Sequence, residues 1–360
     1  MTNNALPRVS RSLLEQHMQQ CRNMGLALDK FAPWQRTRNW DLTMKNTRRR
    51  RGQTELIDVS GGEAKGLWLS TTRRANVRQG ETPSLLEVER TDPDLMAAHQ
   101  QRWLAMVAGG QGVAFRMDTS ERLVVGLGAA HVLETGLTLE RNTGLPYLLG
   151  SSVKGLARTW ALFEVAASLG ITLEATDGQG TLALNTLDDK LIELDSKLIA
   201  INEEDNEAVA AANTATAKLL GMDVSADSGE LIRWFARVFG SQGYRGEVSF
   251  VSGIYGGSRT PAYAADVMTP HFVDYYTGSG SRPPSDDGNP QPVTFLTVEA
   301  KSRFWFGLLP TTDYARRVKA HEIAADWLRR ALVNLGAGGK TAAGYGYFRN
   351  KSFEVLVQSD

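Results

Sequence analysis

The sequence predicts an α+β fold in which helices pack against antiparallel strands. Strand-like and helical stretches alternate irregularly, without the repeated strand–helix–strand order that a doubly wound parallel sheet requires. The 360 residues are 42% hydrophobic and 22% charged, which allows a sizeable core and argues against general disorder. At about 150 residues per domain, this length fits two domains or one domain with insertions.

The helices are predicted from capping signals and from the spacing of apolar residues. A helix over residues 92–107 follows the start signal Thr91-Asp92-Pro93 and stops before Gly109-Gly110. Similar patterns predict helices over residues 152–169, 203–220, 230–239 and 313–335.

Strands are predicted where short apolar runs lie between these helices. Residues 112–117 and 122–127 are expected to form a hairpin, and residues 293–309 a second hairpin that turns near Lys301. Further strands are predicted over residues 65–70, 247–254 and 346–357, and Trp68 is expected in the core.

The formal net charge of zero hides a basic N-terminal segment. The zero total excludes a uniformly basic nucleic-acid binder but not one with a local basic face, and residues 1–80 alone carry a net charge of +9. The run Arg48-Arg49-Arg50-Arg51 is either a solvated loop or a loop ordered by phosphates, because a guanidinium group grips phosphate oxygens in pairs. Arg73, Arg74 and Arg78 extend this basic segment.

A compensating acidic segment follows, since residues 161–230 carry a net charge of −11. It is predicted to be helical, and its apolar side would bury Leu187, Leu191, Leu194 and Leu198. Nucleic acid would be repelled by this segment, so it is either a solvated helical face or a surface that meets a basic protein.

The first motif that suggests a function is Gly144-Leu-Pro-Tyr-Leu-Leu-Gly-Ser-Ser-Val-Lys-Gly-Leu-Ala-Arg158. Ser151 or Ser152 is expected to cap the helix that follows, whose free amide groups favour an anion. Lys154 and Arg158 are four residues apart and emerge on one helical face. The motif therefore indicates either a phosphate site or an ordinary capped helix with two surface cations.

The second motif is the glycine-rich stretch from Gly336 to Gly346. It is not a nucleotide-binding P-loop, because Asn334 occupies the position of the first glycine and the stretch follows a helix. Its glycines would allow close approach to a ligand, and Lys340 and Tyr345 would add a charge and a stacking face. A flexible turn is the alternative interpretation.

The histidines and the single cysteine argue against several classes of site. His17, His99, His131, His271 and His321 show no metal-binding spacing, and His131 is expected to be structural rather than a general base. A lone Cys21 excludes an intramolecular disulfide and a Cys-rich zinc site. No signal peptide or membrane span is predicted, so the expected location is the cytoplasm, with no metal and no cofactor.

Together, the two motifs resemble the RAMP superfamily of CRISPR RNA-binding proteins. Two further stretches are similar to the RAMP subunits of type III-B (Cmr) effector complexes: Arg122-Leu-Val-Val-Gly-Leu-Gly through to Leu139, and Asp266-Val-Met-Thr-Pro-His-Phe-Val-Asp-Tyr-Tyr276. The resemblance spans residues 110–360, whereas residues 1–80 and the acidic helices match no RAMP pattern.

The resemblance implies a ferredoxin-like (RRM-like) core with helical and loop insertions. We expect a basic arm over residues 1–60 and one domain over residues 61–360, with the acidic helices inserted at about 172–228. The implied function is a non-catalytic backbone subunit that binds the CRISPR guide RNA near its 3′ end. Its other implied partners are neighbouring RAMP subunits, a small helical subunit and, indirectly, the target RNA; no membrane is involved.

The RNA-binding residues follow from the resemblance and from the basic segment together. They are Ser151, Ser152, Lys154, Arg158, Gly338, Gly339, Lys340, Thr341, Tyr345, Arg49, Arg50, Arg73 and Arg74. Two alternatives remain at this point: a metal-independent endoribonuclease that uses His131, and a scaffold that binds only proteins.

Overall fold

A computed structural model describes residues 21–30, 43–50, 53–60, 64–65, 68, 92–128, 135–171, 179–269 and 292–358. The helices in these ranges are α1 (Met24–Lys30), α2 (Pro93–Gly109), α3 (Gly150–Ser168), α4 (Gln179–Ile192), α5 (Ser196–Ile199), α6 (Asn206–Leu220), α7 (Ala226–Phe239), α8 (Asp313–Arg317) and α9 (Ala320–Asn334). The strands are β1 (Thr43–Arg50), β2 (Gln53–Ser60), β3 (Val113–Asp118), β4 (Tyr147–Leu148), β5 (Val248–Phe250), β6 (Gly253–Tyr255), β7 (Tyr263–Met268), β8 (Val293–Val298), β9 (Arg303–Pro310) and β10 (Glu354–Val357).

The chain divides into two compact units. The first unit takes residues 1–99, 122–147 and 257–302, and the second takes residues 100–121, 148–256 and 303–360. In the first unit, β1 pairs with β2 and β7 pairs with β8, both antiparallel. The expected division into an arm over residues 1–60 and one domain over residues 61–360 stays a prediction.

The second unit has a ferredoxin-like topology. Along the chain it runs β3–α3–β6–β9–α9–β10, and its sheet has the order β10-β3-β9-β6-β4. Strand β3 is antiparallel to both β9 and β10, and β6 is antiparallel to β9. Counting the four core strands along the chain gives the spatial order 4-1-3-2 of the βαββαβ motif. The predicted α+β class with antiparallel pairing is therefore confirmed.

The core of this unit lies on both faces of the central strand β9. Phe304, Phe306 and Leu308 are fully buried, and Phe306 stacks on Phe115 of β3 with ring centroids 5.4 Å apart. Because side chains alternate along a strand, Gly307 lies on the opposite face. A Cβ atom there would come within 2.9 Å of the ring of Trp103, so glycine lets α2 pack closely against the sheet.

The acidic helices are attached to α7 through buried arginines. Arg233 and Arg237 are almost completely buried, and both form ion pairs with Glu203, at 2.9 and 3.2 Å. Arg233 also donates to Asn213 Oδ1 at 2.6 Å, and Arg237 donates to the carbonyl oxygen of Ile199. One carboxylate thus balances two guanidinium groups that are shielded from water.

The predicted leucine stripe of the acidic segment is only partly confirmed. Leu187, Leu191 and Leu194 are buried, whereas Leu198 is half-buried. Helix α4 ends at Ile192, and Asp195 caps the new helix α5 by accepting from the amide of Lys197. This break changes the helical phase, so that Ile199 takes the buried position instead.

Both predicted hairpins are wrong in their pairing. No strand forms over residues 122–127, where Leu123 makes an isolated bridge to Val298, and β3 pairs with β9 and β10 instead. Strands do form within residues 293–309, but β8 pairs with β7 and β9 belongs to the larger sheet. Adjacent apolar runs predict strands, but they do not specify which strands pair.

Four other elements differ from the predictions in their bounds or type. Arg48, Arg49 and Arg50 of the arginine run belong to strand β1 of an antiparallel hairpin rather than to a loop, and Arg51 lies outside the described residues. The helix predicted over residues 313–335 is broken at Lys319, which has a left-handed φ of 55°. Trp68 is buried as predicted, but its backbone is helical. The strands predicted over 247–254 and 346–357 are the short pair β5 and β6 and the late strand β10.

We expect the substitution Glu203→Gln to destabilise the second unit, because it leaves Arg233 and Arg237 without their shared counter-charge. Breaking a fully buried ion pair costs several kcal/mol. Because Glu203 is about one-third exposed, we expect the free energy of unfolding to fall by about 2 kcal/mol. Urea unfolding measures this change. The matched control is Glu204→Gln, a neighbouring exposed carboxylate, which should unfold like the wild type. Equal stability of the two variants would contradict this account of the buried arginines.

Candidate functional site

Helix α3 begins with unpaired amide groups. Its N-cap residue is Leu149, with no side-chain cap, so the predicted capping by Ser151 or Ser152 is wrong. Gly150 donates its amide to Ser252 Oγ at 3.1 Å, and a Cβ atom there would lie 2.5 Å from the carbonyl oxygen of Phe250. Within the described ranges, the amides of Ser151 and Ser152 have no hydrogen-bond partner. This helix start therefore keeps a positive end.

A cavity of about 320 Å³ opens at this end of α3. Its polar lining comes from three separate parts of the chain: the start of α3, the turn and strand around β5, and the residue that follows β9. The polar side chains are Ser151, Lys154, Arg245, Ser249 and Thr311. The lining contains two cations and no carboxylate, so the cavity suits an anion.

Lys154 is the cation that α3 contributes to the cavity. Its Nζ donates to the carbonyl oxygen of Phe239 at 3.1 Å, which fixes the side chain and leaves further N–H groups of the ammonium for a ligand. Burial, followed by the nearby charge of Arg158, lowers the pKa of Lys154. A phosphate at this ammonium would offset both effects.

Arg158 is engaged elsewhere, although it shares a helical face with Lys154. Its guanidinium donates to both carboxylate oxygens of Asp188, at 2.9 and 2.6 Å, and lies 5.1 Å from the ring centroid of Phe235. Asp188 belongs to α4 of the acidic helices. The charge of Arg158 is thus balanced within the protein, and Arg158 does not line the cavity.

Arg245, Ser249 and Thr311 were not predicted as site residues. Arg245 is exposed, and in the described part of the chain its guanidinium has no ion pair. A sequence signal existed, because Arg245 lies between Gly243 and Gly246 in a short turn before a strand. Nothing in that turn indicates that it would meet the start of α3.

The glycine-rich stretch is an ordered loop. Ala337 donates its amide to the carbonyl oxygen of Gly346 at 2.8 Å and closes the loop, and residues Thr341–Ala343 form a 3₁₀ turn. Lys340 adopts a left-handed φ of 60°, a strained conformation of the kind that clusters at functional sites. Gly338 is exposed, and Gly339, Lys340, Thr341 and Tyr345 are half-buried. None of these residues lines the α3 cavity.

The basic N-terminal residues are only partly described. Arg49 is opposite Thr54 and Arg50 is opposite Gln53, so two residues separate the strands at the tip of this hairpin. Arg73, Arg74 and Arg78 lie outside the described residues.

The remaining candidate groups are the histidines and possible metal ligands. His321 is buried, and its burial lowers the pKa of the imidazole. His17, His131 and His271 lie outside the described residues. In the ranges that the structure covers, no three His, Cys, Asp or Glu residues are grouped to hold a metal, and no helix is long and apolar enough to cross a membrane.

Comparisons with known proteins identify the family. Residues 116–349 match the RAMP superfamily. Over 259 residues the chain is 30% identical to the CRISPR system Cmr subunit Cmr6 of Pyrococcus furiosus. The matched region covers 70% of this chain and 72% of that protein.

Two solved structures show weaker similarity. A chain of the cryo-EM structure of the type III-B Cmr-beta bound to cognate target RNA is 17% identical, with a TM-score of 0.47 over 77% of this chain and 72% of that one. The crystal structure of Cmr6 from Pyrococcus furiosus is 26% identical, with a TM-score of 0.35 over 66% of this chain and 96% of that one. The family match and the sequence identity to Cmr6 carry the assignment: this chain belongs to the RAMP superfamily.

Proposed function

We propose that this chain is a Cmr6-type subunit of a type III-B (Cmr) CRISPR effector complex and that it binds the guide RNA near its 3′ end. The observation that carries the proposal is the 30% identity to a Cmr subunit over 70% of the chain. The guide RNA, neighbouring RAMP subunits and a small helical subunit are the proposed partners. Target RNA would reach this subunit only through its pairing with the guide.

The cavity at the start of α3 supports binding of the RNA backbone. A phosphate there would meet the free amides of Ser151 and Ser152, the ammonium of Lys154 and the guanidinium of Arg245. Amides and cations are the groups that hold phosphate oxygens at helix starts. Such contacts fix the position of an RNA without reading its sequence, which suits a subunit that must accept any guide.

The glycine-rich loop of the second unit and the basic hairpin of the first unit are two further proposed RNA contacts. Gly338 and Gly339 allow a backbone to approach, Lys340 and Thr341 would contact phosphate, and Tyr345 would stack on a base. In the basic hairpin formed by β1 and β2, Arg49 and Arg50 lie near the tip. With Arg73 and Arg74 they would supply further phosphate contacts.

We also propose that the subunit binds RNA without cutting it. The groups at the α3 cavity are donors and cations, whereas metal-free RNA cleavage needs a general acid and a general base beside the reacting phosphate. Incubation of the purified chain with CRISPR repeat RNA in the absence of metal should leave the RNA intact. Specific cutting that disappears in His131→Ala would instead support the endoribonuclease alternative.

Removing the two proposed phosphate-binding lysines should weaken guide binding and its salt dependence. We expect the double variant Lys154→Met and Lys340→Gln to lower the slope of log affinity against log salt by about 1.4, since each lost single-strand contact removes about 0.7. Methionine keeps the half-buried stem of Lys154 packed. The measurement is guide affinity of the assembled complex over a range of salt concentrations.

A double variant of two exposed lysines on the acidic helices, Lys197→Gln and Lys218→Gln, is the control for charge. It removes the same charge far from the proposed contacts in sequence and should keep the wild-type slope. If both double variants bind guide like the wild type, the assignment of Lys154 and Lys340 is wrong.

We expect Arg245 to act in RNA binding and Arg158 to act in stabilising the fold. Arg245→Gln should lower the salt slope by about 0.7 and leave the melting temperature unchanged, because Arg245 is exposed and unpaired in the described ranges. Arg158→Gln should lower the melting temperature and keep the slope, because it loses the ion pair with Asp188. The opposite pattern would place the RNA contact on Arg158.

A further inference from the structure

The segment that follows the glycine-rich loop holds two unpaired cations on a fixed backbone. Arg349 donates its amide to the carbonyl oxygen of Asp118 at 2.9 Å, and Asp118 donates its own amide to Ser352 Oγ at 2.8 Å. The side chains of Arg349 and Lys351 are exposed, and neither forms an ion pair or hydrogen bond with another described residue. Two charges are therefore presented by a backbone that is already ordered.

Phe353 lies immediately after these cations, and 38% of its surface is exposed. Its ring packs on the fully buried Phe115, with centroids 5.4 Å apart, and the guanidinium of Arg329 lies 5.6 Å from its centroid. Arg329 is held by Asp326 Oδ1 and Asn350 Oδ1, both at 2.7 Å. The ring thus has a fixed position and still offers apolar surface to solvent.

The carboxylates around Phe353 do not offset this positive charge. Glu354 is paired with Arg116, and Asp118 is paired with Arg303 at 2.8 Å. Asp326 lies between Arg329 and Arg330; burial raises the pKa of its carboxyl group, but the hydrogen bonds and charges of the two arginines together lower it. Each of these acids has an arginine partner, so Arg349 and Lys351 have no counter-charge among the residues that the structure describes.

We propose that Phe353 is a stacking platform for an unpaired base of an RNA strand, with Arg349 and Lys351 binding the adjoining phosphates. A single exposed aromatic side chain is ordinary on a protein surface. A positioned ring beside two unbalanced cations matches both parts of a single-stranded nucleic acid, because the base offers a π-face and the backbone offers negative charge. The inference rests on the proposed function, in that the chain must bind RNA.

The ligand is single-stranded, because bases inside a duplex already stack on one another. The main rival is a strand from a partner protein that would add to β10, the last strand of the sheet. Val355, which is 43% exposed, lies two residues from Phe353 on the same face, so it would contact an added strand as much as Phe353 would. Arg349 and Lys351, which have no ion pair within the described residues, favour RNA, a polyanion, over an added protein strand.

The test uses the full chain and compares the affinity for single-stranded RNA of three variants. Phe353→Leu keeps apolar packing against Phe115 but has no ring, and we expect it to bind about 5- to 100-fold more weakly with an unchanged salt slope. Phe353→Tyr restores the ring and should restore affinity. Val355→Ala is the matched control and should bind as the wild type does. Melting temperatures show that each variant is folded.

The cations are tested separately by the double variant Arg349→Gln and Lys351→Gln, which should lower the salt slope by about 1.4. If Phe353→Leu binds RNA with wild-type affinity, Phe353 is not a stacking platform. The proposal is also wrong if Phe353→Leu and Val355→Ala both keep their RNA affinity but no longer bind the partner subunits. If the wild-type chain binds no RNA in isolation or in the complex, the proposed function itself fails. If the wild type binds and Phe353→Leu is normal, only the platform fails.

Discussion

The antiparallel pairing of β3 with β9 is the interaction on which the rest of the second unit depends. Strand β9 runs through the middle of the sheet and pairs with β3 on one side and with β5 and β6 on the other. All six residues of β3 pair with β9.

The α3 cavity depends on the pairing of β9 with β5, on the other side of the same central strand. Val248 of β5 lies opposite Pro310 of β9, and Thr311 donates its amide to the carbonyl oxygen of Glu247 at 2.8 Å. These contacts bring the turn with Arg245 beside Thr311. Helix α3 begins against the same strand, where Gly150 approaches Phe250. Three segments that are distant in sequence thus form one cavity with a cationic lining, although only the α3 segment looks like a binding motif by itself.

Sequence patterns predicted the local features of this protein better than its pairings. The helix over residues 93–109, the helical acidic segment and the core position of Trp68 follow from periodicity and composition, which are local properties. The strand partners of residues 113–118 depend on contacts nearly 200 residues away, which periodicity does not encode. For the same reason the spacing of Lys154 and Arg158 predicted a shared helical face but not the role of Asp188, and Arg245 gave no signal beyond its glycine-flanked turn.

The acidic helices determine which arginines remain open to a ligand. Their carboxylates Asp188 and Glu203 occupy Arg158, Arg233 and Arg237, so these guanidinium groups are satisfied before any RNA arrives. The insertion therefore acts as an internal competitor: it mimics phosphate toward the cations that hold the fold together and leaves Lys154 and Arg245 to an external anion. A net charge of zero is compatible with RNA binding in such a chain, because Asp188 and Glu203 are paired inside the protein with arginines that take no part in the proposed phosphate contacts.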